Sequence, residues 1–583
     1  MKHTALALAT VMTLLATLIG GCGRPSAPTV PEPGAGDAAF RQLAGEILGE
    51  YYQRNPTTAT DLGIHTYDDH LEDYSAAAVK ANIAAAKDFR TRLDAIDPAR
   101  LTPDAQLDRE FLQHIMDGSV LRDDVVRGWA KDPDLYSSGI TNTAYVMIKR
   151  NFAPPEQRLK SLVARLKSMP NVLADARRNL ADPPKVYTEI AIEQVDGNRD
   201  FFTTSVAEAF GEVTDAALLA DFRTANAAVV AALDEYKRWL QNELLPKSNG
   251  SFAYGVETYQ KVLAADELVT TPLPELLAIA QADLERNRQA FVETARKVDP
   301  SKSPEQVMAD MAKDHPPADQ LLSKTQGELD ALAVFIKDRR IVTVPPAPPA
   351  RVKETPPFLA ATTSASMDIP GPFEKVATEA YFNMTLPDPS WPKDEQDDFM
   401  TQWYFPAISN VSVHEVWPGH YLQFLYAKDY PSDVRKVFGA ASNSEGWAHY
   451  SEQMMIDEGF HSDDPRYRLA QLQDALLRDV RFVVGIKMHT QGMTVAQAKD
   501  MFVRDSYQPD AVAESEAKRG TADATYGYYT MGKLMILKLR DDYEKKVGDA
   551  YTLEGFHDAF VKMGPLPLPL IRKAMLGATG DLF

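Results

Sequence analysis

Residues Leu273–Val298 read LPELLAIAQADLERNRQAFVETARKV. Leu, Ala, Glu and Arg dominate, glycine and proline are few, and apolar residues recur at helical spacing, so the stretch reads as a long helix. The same composition and spacing return at 39–52, 155–180, 215–244, 317–337, Pro465–Thr490 and 526–546, the first of these stopped by Asn55-Pro56. No repeat with a period of about 20 to 50 residues is present, which excludes a solenoid. One stretch breaks the pattern. Residues 344–357, VPPAPPARVKETPP, hold six prolines, a density that no helix survives. The runs 361–368 and 377–386 that follow are rich in Thr, Ser, Ala and aromatics and read as extended. The expected fold is mainly α: a large multi-helix body, with a loop and a small β-sheet just before the segment that starts near Asp394. No composition shift separates the two sides of the loop, so 38–583 is read as one large domain.

The chain has 583 residues, 45% of them hydrophobic and 25% charged, which fits an ordinary globular protein. Its 82 acidic residues outnumber 62 basic ones for a net charge of −20, and such a surface repels nucleic-acid phosphates. The single cysteine excludes internal disulfides and cysteine-rich metal sites. That cysteine ends a recognisable pattern. Lys2 precedes an uncharged, largely apolar run over 4–21, the arrangement of an export signal, too short and too glycine-ended for a permanent membrane span. The run closes Leu18-Ile19-Gly20-Gly21-Cys22, which resembles a bacterial lipobox. The resemblance implies that 1–21 is a signal peptide and that Cys22 carries diacylglycerol, which holds the protein to a membrane face. Residues 22–37, rich in Pro, Gly, Ala and Ser, then form a flexible tether. Gly23, rather than Asp, after the cysteine resembles outer-membrane sorting signals, so the expected location is the outer membrane, facing the periplasm.

Five of the 11 histidines fall between His414 and His489. The run Val413-His414-Glu415-Val416-Trp417-Pro418-Gly419-His420 begins like the zinc-hydrolase signature His-Glu-x-x-His, in which two imidazoles four residues apart share a helix face and a metal while the Glu takes a proton from metal-bound water. Here the second histidine comes six positions after the first. On an unbroken helix that spacing leaves the side chains about 120° apart and about 9 Å along the axis, too far to share an ion. Pro418-Gly419 offers a remedy, since proline removes a helical hydrogen bond and glycine accepts unusual dihedrals. Spacing alone leaves two readings open, a kinked metal-binding turn or a helix that ends at Pro418. The run Glu445-Gly446-Trp447-Ala448-His449-Tyr450-Ser451-Glu452 favours the first, because Glu445, His449 and Glu452 share one helix face. Two imidazoles and a carboxylate from a second helix leave a fourth zinc position open, as catalysis needs. The tryptophans beside both motifs suggest a pocket.

At these residues the sequence resembles the bacterial domain-of-unknown-function-885 family, grouped with gluzincin-type zinc metallopeptidases. The resemblance extends to the opening segment Asn55-Pro56-Thr57-Thr58-Ala59-Thr60-Asp61-Leu62-Gly63-Ile64-His65, to Tyr381-Phe382-Asn383, to Arg478, Arg481 and His489, and to Tyr529-Thr530-Met531-Gly532-Lys533. It implies His414, His420 and Glu445 as ligands of Zn2+, Glu415 as general base, and a helical fold with a deep cleft. The chain departs from the family at 521–526, where Pro-Gly-Gln-Ala is common before the tyrosine.

Other candidates rest on thinner context. Tyr529 and His489, and less so Arg481 and Tyr528, are candidates to polarise the scissile carbonyl. Tyr381 and Asn383 are candidates for substrate binding, as an edge strand that pairs with an extended peptide. Arg478 or Arg481 is placed to grip a terminal carboxylate. His449 and Glu452 are expected to orient the ligands, and His461 is assigned nothing. The expected function is zinc-dependent hydrolysis of peptide bonds in the cell envelope, with metal-bound water activated by Glu415. The alternatives are an inactive metal-binding or scaffold lipoprotein and a zinc amidase that acts on peptidoglycan stem peptides.

Overall fold

Helices form where the apolar spacing places them: Asp37–Arg54, Pro155–Asn179, Ala216–Trp239, Leu273–Val298, Leu321–Arg339, Pro465–Thr490 and Tyr528–Val547. This computed structural model describes residues 33–356 and 363–583. The expected signal peptide 1–21, Cys22 and most of the tether lie outside the described residues. The tether's last residues are already docked, since the Gly34 and Gly36 amides donate to the Arg100 carbonyl at 2.9 and 2.8 Å.

The fold is mostly helical, with one three-stranded sheet: β1 (Arg351–Glu354), β2 (Ala365–Asp368) and β3 (Tyr381–Met384). Two strands fall inside the runs read as extended. β1 corrects the reading of 344–357 as loop throughout: its four residues, RVKE, lie between the prolines, so every residue of the strand keeps its ladder N–H. The strand order is β1-β3-β2, with β3 parallel to β1 (Arg351 opposite Tyr381) and antiparallel to β2 (Asp368 opposite Tyr381). β2 packs beside the helix Phe405–Glu415, which carries His414.

Apolar side chains collect in two cores. The smaller joins the helices Asp134–Ile148, Pro155–Asn179, Lys185–Thr203 and Ala216–Trp239 around residues such as Leu166, Phe202 and Leu233. The larger holds Leu273–Val298 against Pro465–Thr490 and surrounds the histidine motif. Arg150 ties the sheet to the smaller core, donating to the Ala377 and Glu379 carbonyls and to Asp368 Oδ1 at 2.7 Å. The helix Ala441–Asp457, which carries Glu445, crosses Tyr528–Val547 glycine on glycine: a Cβ on Gly446 would meet the Gly532 Cα at 2.5 Å. Only a residue without a side chain permits that approach, and it brings Glu445 and Tyr529 to the same place.

Candidate metal centre

The helix carrying the first histidine ends at Glu415, and a new helix starts at His420. Between them the hydrogen bonds widen step by step. Val416 N–H reaches the Ser412 carbonyl at 3.0 Å, Trp417 N–H the same carbonyl at 3.1 Å, and Gly419 N–H the Val413 carbonyl at 3.0 Å. This turn packs Gly419 so tightly against the preceding helix that a Cβ there would lie 1.8 Å from the His414 carbonyl oxygen. Proline and glycine at 418 and 419 are thus what a helix needs in order to stop, fold back and restart. The indole N–H of Trp447 donates to the Pro418 carbonyl at 2.7 Å, and Trp447 itself is fully buried, stacked on Phe560. Burying an indole is worth roughly 4–6 kcal/mol by area, so this contact clamps the turn onto the second helix. The expectation that the motif tryptophans line a pocket is corrected: Trp447 is sealed in the core, and Trp417, 7% exposed, packs edge-on against Tyr421.

The turn cancels the six-residue spacing. His414 and His420 rings stand 4.9 Å apart at 89°, and Glu445 Oε2 lies 3.4 Å from His414 Nε2 and 3.5 Å from His420 Nε2. One donor atom from each of the three residues falls within 4.8 Å of the others, the only such His/Cys/Asp/Glu group among the described residues. The other nitrogen of His414, Nδ1, pairs with Glu452 Oε1 at 2.6 Å, which fixes the ring with Nε2 turned to the cluster. Glu452 also takes Arg478 Nη2 at 3.1 Å, His449 Nδ1 at 3.3 Å and Asn410 Nδ2 at 3.3 Å. His449 therefore acts on Glu452 rather than on a ligand. The carboxylate of Glu415, half-buried at the helix end, makes no hydrogen bond or ion pair among the described residues.

The charges of this cluster favour a cation. Burial would lower the His414 pKa, yet the hydrogen-bonded carboxylates of Glu445 and Glu452 push it up to about 10. Burial would raise Glu445, but His414 and His420 hold it well below the usual carboxylate range. His449 behaves oppositely, since burial and the Lys533 cation bring it down to about 3 and keep it neutral. A positive charge among His414, His420 and Glu445 is thus stabilised by carboxylates fixed on the helix Ala441–Asp457, and the donor set, drawn from three helices, fits a divalent ion that takes nitrogen and oxygen ligands.

Other predicted residues divide. Tyr529 is brought to the centre, its ring 6.4 Å from His414 and flanked by the Arg478 and Arg481 guanidinium groups at 5.5 and 5.2 Å. Tyr528 lies beside it but donates to Asp523 Oδ2 at 3.1 Å. His489 is a correction. It is 1% exposed, ringed by Phe252, Tyr254 and Tyr259, and its Nε2 donates to the Gly520 carbonyl at 2.8 Å. Arg481 is a second, since its Nε and Nη2 are both held at 2.7 Å by Glu516 and are not free for a substrate carboxylate. Arg478 is likewise committed, to Glu452 and the Asp474 carbonyl. Tyr381 and Asn383 are a third. They sit on β3, the central strand, paired on both sides, and Asn383 is 2% exposed, so neither offers an edge to a peptide. Sequence reasoning missed Asn410, which bridges Glu452 and Asp474 and lies four residues before His414, where helix periodicity points to it. It also missed Arg519, which joins Asp523 and the Tyr528 and Tyr529 hydroxyls; no local pattern marks it.

The protein is large and helical, and two histidines and one carboxylate converge in it as a group that could hold a metal ion. The chain matches the family described as bacterial protein of unknown function (DUF885) over residues 56–575, and it belongs to that family. A solved structure from Shewanella oneidensis, a candidate lipoprotein of unknown function, is 27% identical with a TM-score of 0.78, over 92% of this chain and 99% of that one. A candidate lipoprotein from Colwellia psychrerythraea is 18% identical with the same TM-score of 0.78, over 93% and 98%, and shares the fold. No curated protein matches the chain.

Proposed function

We propose that this protein is a zinc-dependent, gluzincin-like hydrolase of peptide bonds, held at the cell envelope by a lipid on Cys22. The observation that carries the reading is the convergence of His414 Nε2, His420 Nε2 and Glu445 Oε2 from three short stretches of helix, with Glu452 setting the orientation of His414. When bound there, a zinc ion acidifies a water in its open position and polarises a carbonyl. The protein's own residues supply the rest. His414, His420 and Glu445 hold the ion. Glu415, next to His414 and with a carboxylate that has no partner among the described residues, takes a proton from the attacking water and hands it to the leaving amine. The Tyr529 hydroxyl, beside His414 and next to Arg519, is the donor for the developing oxyanion. The lipid anchor is supported by the lipobox-like run ending at Cys22 and by the two related structures, both described as candidate lipoproteins.

The test is digestion of a peptide library, read by product mass, by zinc-loaded protein and by Glu415→Gln. The expected result is one equivalent of zinc in both proteins by elemental analysis and a loss of at least about 100-fold in turnover for the variant. Equal cleavage by the two, or a parent that binds no zinc, rejects the assignment.

A further inference from the structure

The cavity beside the metal centre is built from faces of the ligand-bearing helices. Phe424 and Ala427 follow His420 by one and two turns, on its own side of the helix His420–Ala427, and Ala441 precedes Glu445 by one turn. All three line a cavity of about 790 Å³, which is also lined by Met367 of β2, by Ile369 just after it and by Val437. The opening segment of the fold also reaches it, through Asp61 and Leu62, and Asp61 pairs with Lys149 there. The Phe424 ring lies 6.5 Å from the His420 ring and is 44% exposed, a large apolar side chain left in the open one turn from a metal ligand. Apolar surface predominates on these walls, as in sites that recognise an apolar side chain, while Asp368, Lys436 and Gln423 add polar groups among them.

The wall formed by β2 also offers backbone. The Thr385 amide donates to the Ser364 carbonyl at 2.8 Å, so 364 and 385 form a hydrogen-bonded pair, and by alternation Ser366 and Asp368 turn their backbone groups to β3. Ala365 and Met367 therefore point theirs away. The Ala365 carbonyl is occupied by the Thr363 hydroxyl at 2.6 Å, which leaves the N–H and C=O of Met367, a residue that lines the cavity, as a pair with no partner among the described residues. The opposite edge of the sheet is taken, because the Val352 amide on β1 donates to Gln326 Oε1 at 3.0 Å.

From this juxtaposition we infer that the protein selects extended peptides carrying a bulky apolar residue, its side chain in the cavity against Phe424 and its backbone paired with Met367. The inference rests on the peptide-hydrolase reading and names its substrate class. Binding measured on zinc-loaded Glu415→Gln tests it without turnover. The probes are two fluorescent hexapeptides of alanine and glycine, identical save for phenylalanine or alanine at one internal position. The phenylalanine peptide is expected to bind about 10-fold tighter or better. Ala427→Leu, which fills the cavity, and Phe424→Ala, which removes an exposed rim contact and leaves the core intact, are each expected to bring that ratio towards one. Equal binding of the two peptides, or a ratio that survives both substitutions, overturns the inference. The two failures are separable. Preference in binding with no cleavage by the parent protein removes the hydrolase and keeps the pocket, while cleavage without preference does the reverse.

Discussion

Glu452 makes the centre depend on a residue that is not itself a candidate ligand but holds one, His414, by its Nδ1. It is 1% exposed, and burial alone would raise its carboxyl, but Arg478, His449 and His414 hold it well below the usual range, so it stays an anion. That anion fixes which nitrogen of His414 faces Glu445 and strengthens it as a donor to a metal. Glu452→Gln keeps the shape and removes the charge. The expected outcome is zinc affinity lowered by about 10- to 100-fold, read by competition with a chelator of known affinity. Unchanged affinity would mean that His414 is positioned by packing alone. At this scale the convergence of side chains was legible in the sequence. His414, His420, Glu445 and Glu452 stand at intervals that bring them together, and the structure brings them together. His489 and Arg481 were legible only as titratable residues in a suggestive segment, and nothing in a linear sequence reveals that Gly520 and Glu516 already claim them.

Between elements, the decisive contact is the crossing of Ala441–Asp457 with Tyr528–Val547. A Cβ at Gly532 would lie 2.0 Å from the Ser442 carbonyl, and one at Gly446 would lie 2.5 Å from the Gly532 Cα. Both obstacles are backbone, so no rotamer change relieves them and the helices must part. Gly446→Ala gains about 1 kcal/mol of helix propensity and meets an overpacking cost of roughly 1–3 kcal/mol or more. The expected net result is a lower thermal midpoint, together with weaker zinc binding as Glu445 moves away from the histidines. A variant as stable as its parent, with zinc affinity intact, would show that the crossing has slack. Element positions were largely readable from composition, since long runs of Leu, Ala, Glu and Arg have few alternatives to helix. Element pairing was not. The glycines of the crossing look like ordinary interruptions of a helix, and RVKE between prolines looks like loop until β3 is laid beside it.

Across the whole molecule, the centre is held by parts distant in the chain. Residues 61 and 62 wall the cavity, the helix Tyr528–Val547 carries Tyr529, and Glu267 anchors the start of the Glu445 helix. Glu267 follows the helix Gly255–Asp266, and its Oε2 accepts from the Ser442 hydroxyl at 2.5 Å and from the Ser442 amide at 3.2 Å. An acid at that position in the sequence carries no sign of this role, because its partner lies 175 residues away. Burial raises its carboxyl to about 7, with nearby Asp266 adding to the rise and the Ser442 hydrogen bonds opposing it. The folded chain therefore binds this proton more tightly than the unfolded chain does. Its stabilising contribution is complete below the ordinary value of 4.5 and is lost as pH rises through about 7. Glu267→Gln is neutral at every pH and should escape that loss. Between pH 4.5 and pH 8 the parent should lose about 3 kcal/mol of stability relative to the variant. Thermal midpoints of the two proteins taken across that range measure it, and a gap between them that does not change with pH would show that Glu267 titrates alike in the folded and unfolded chains.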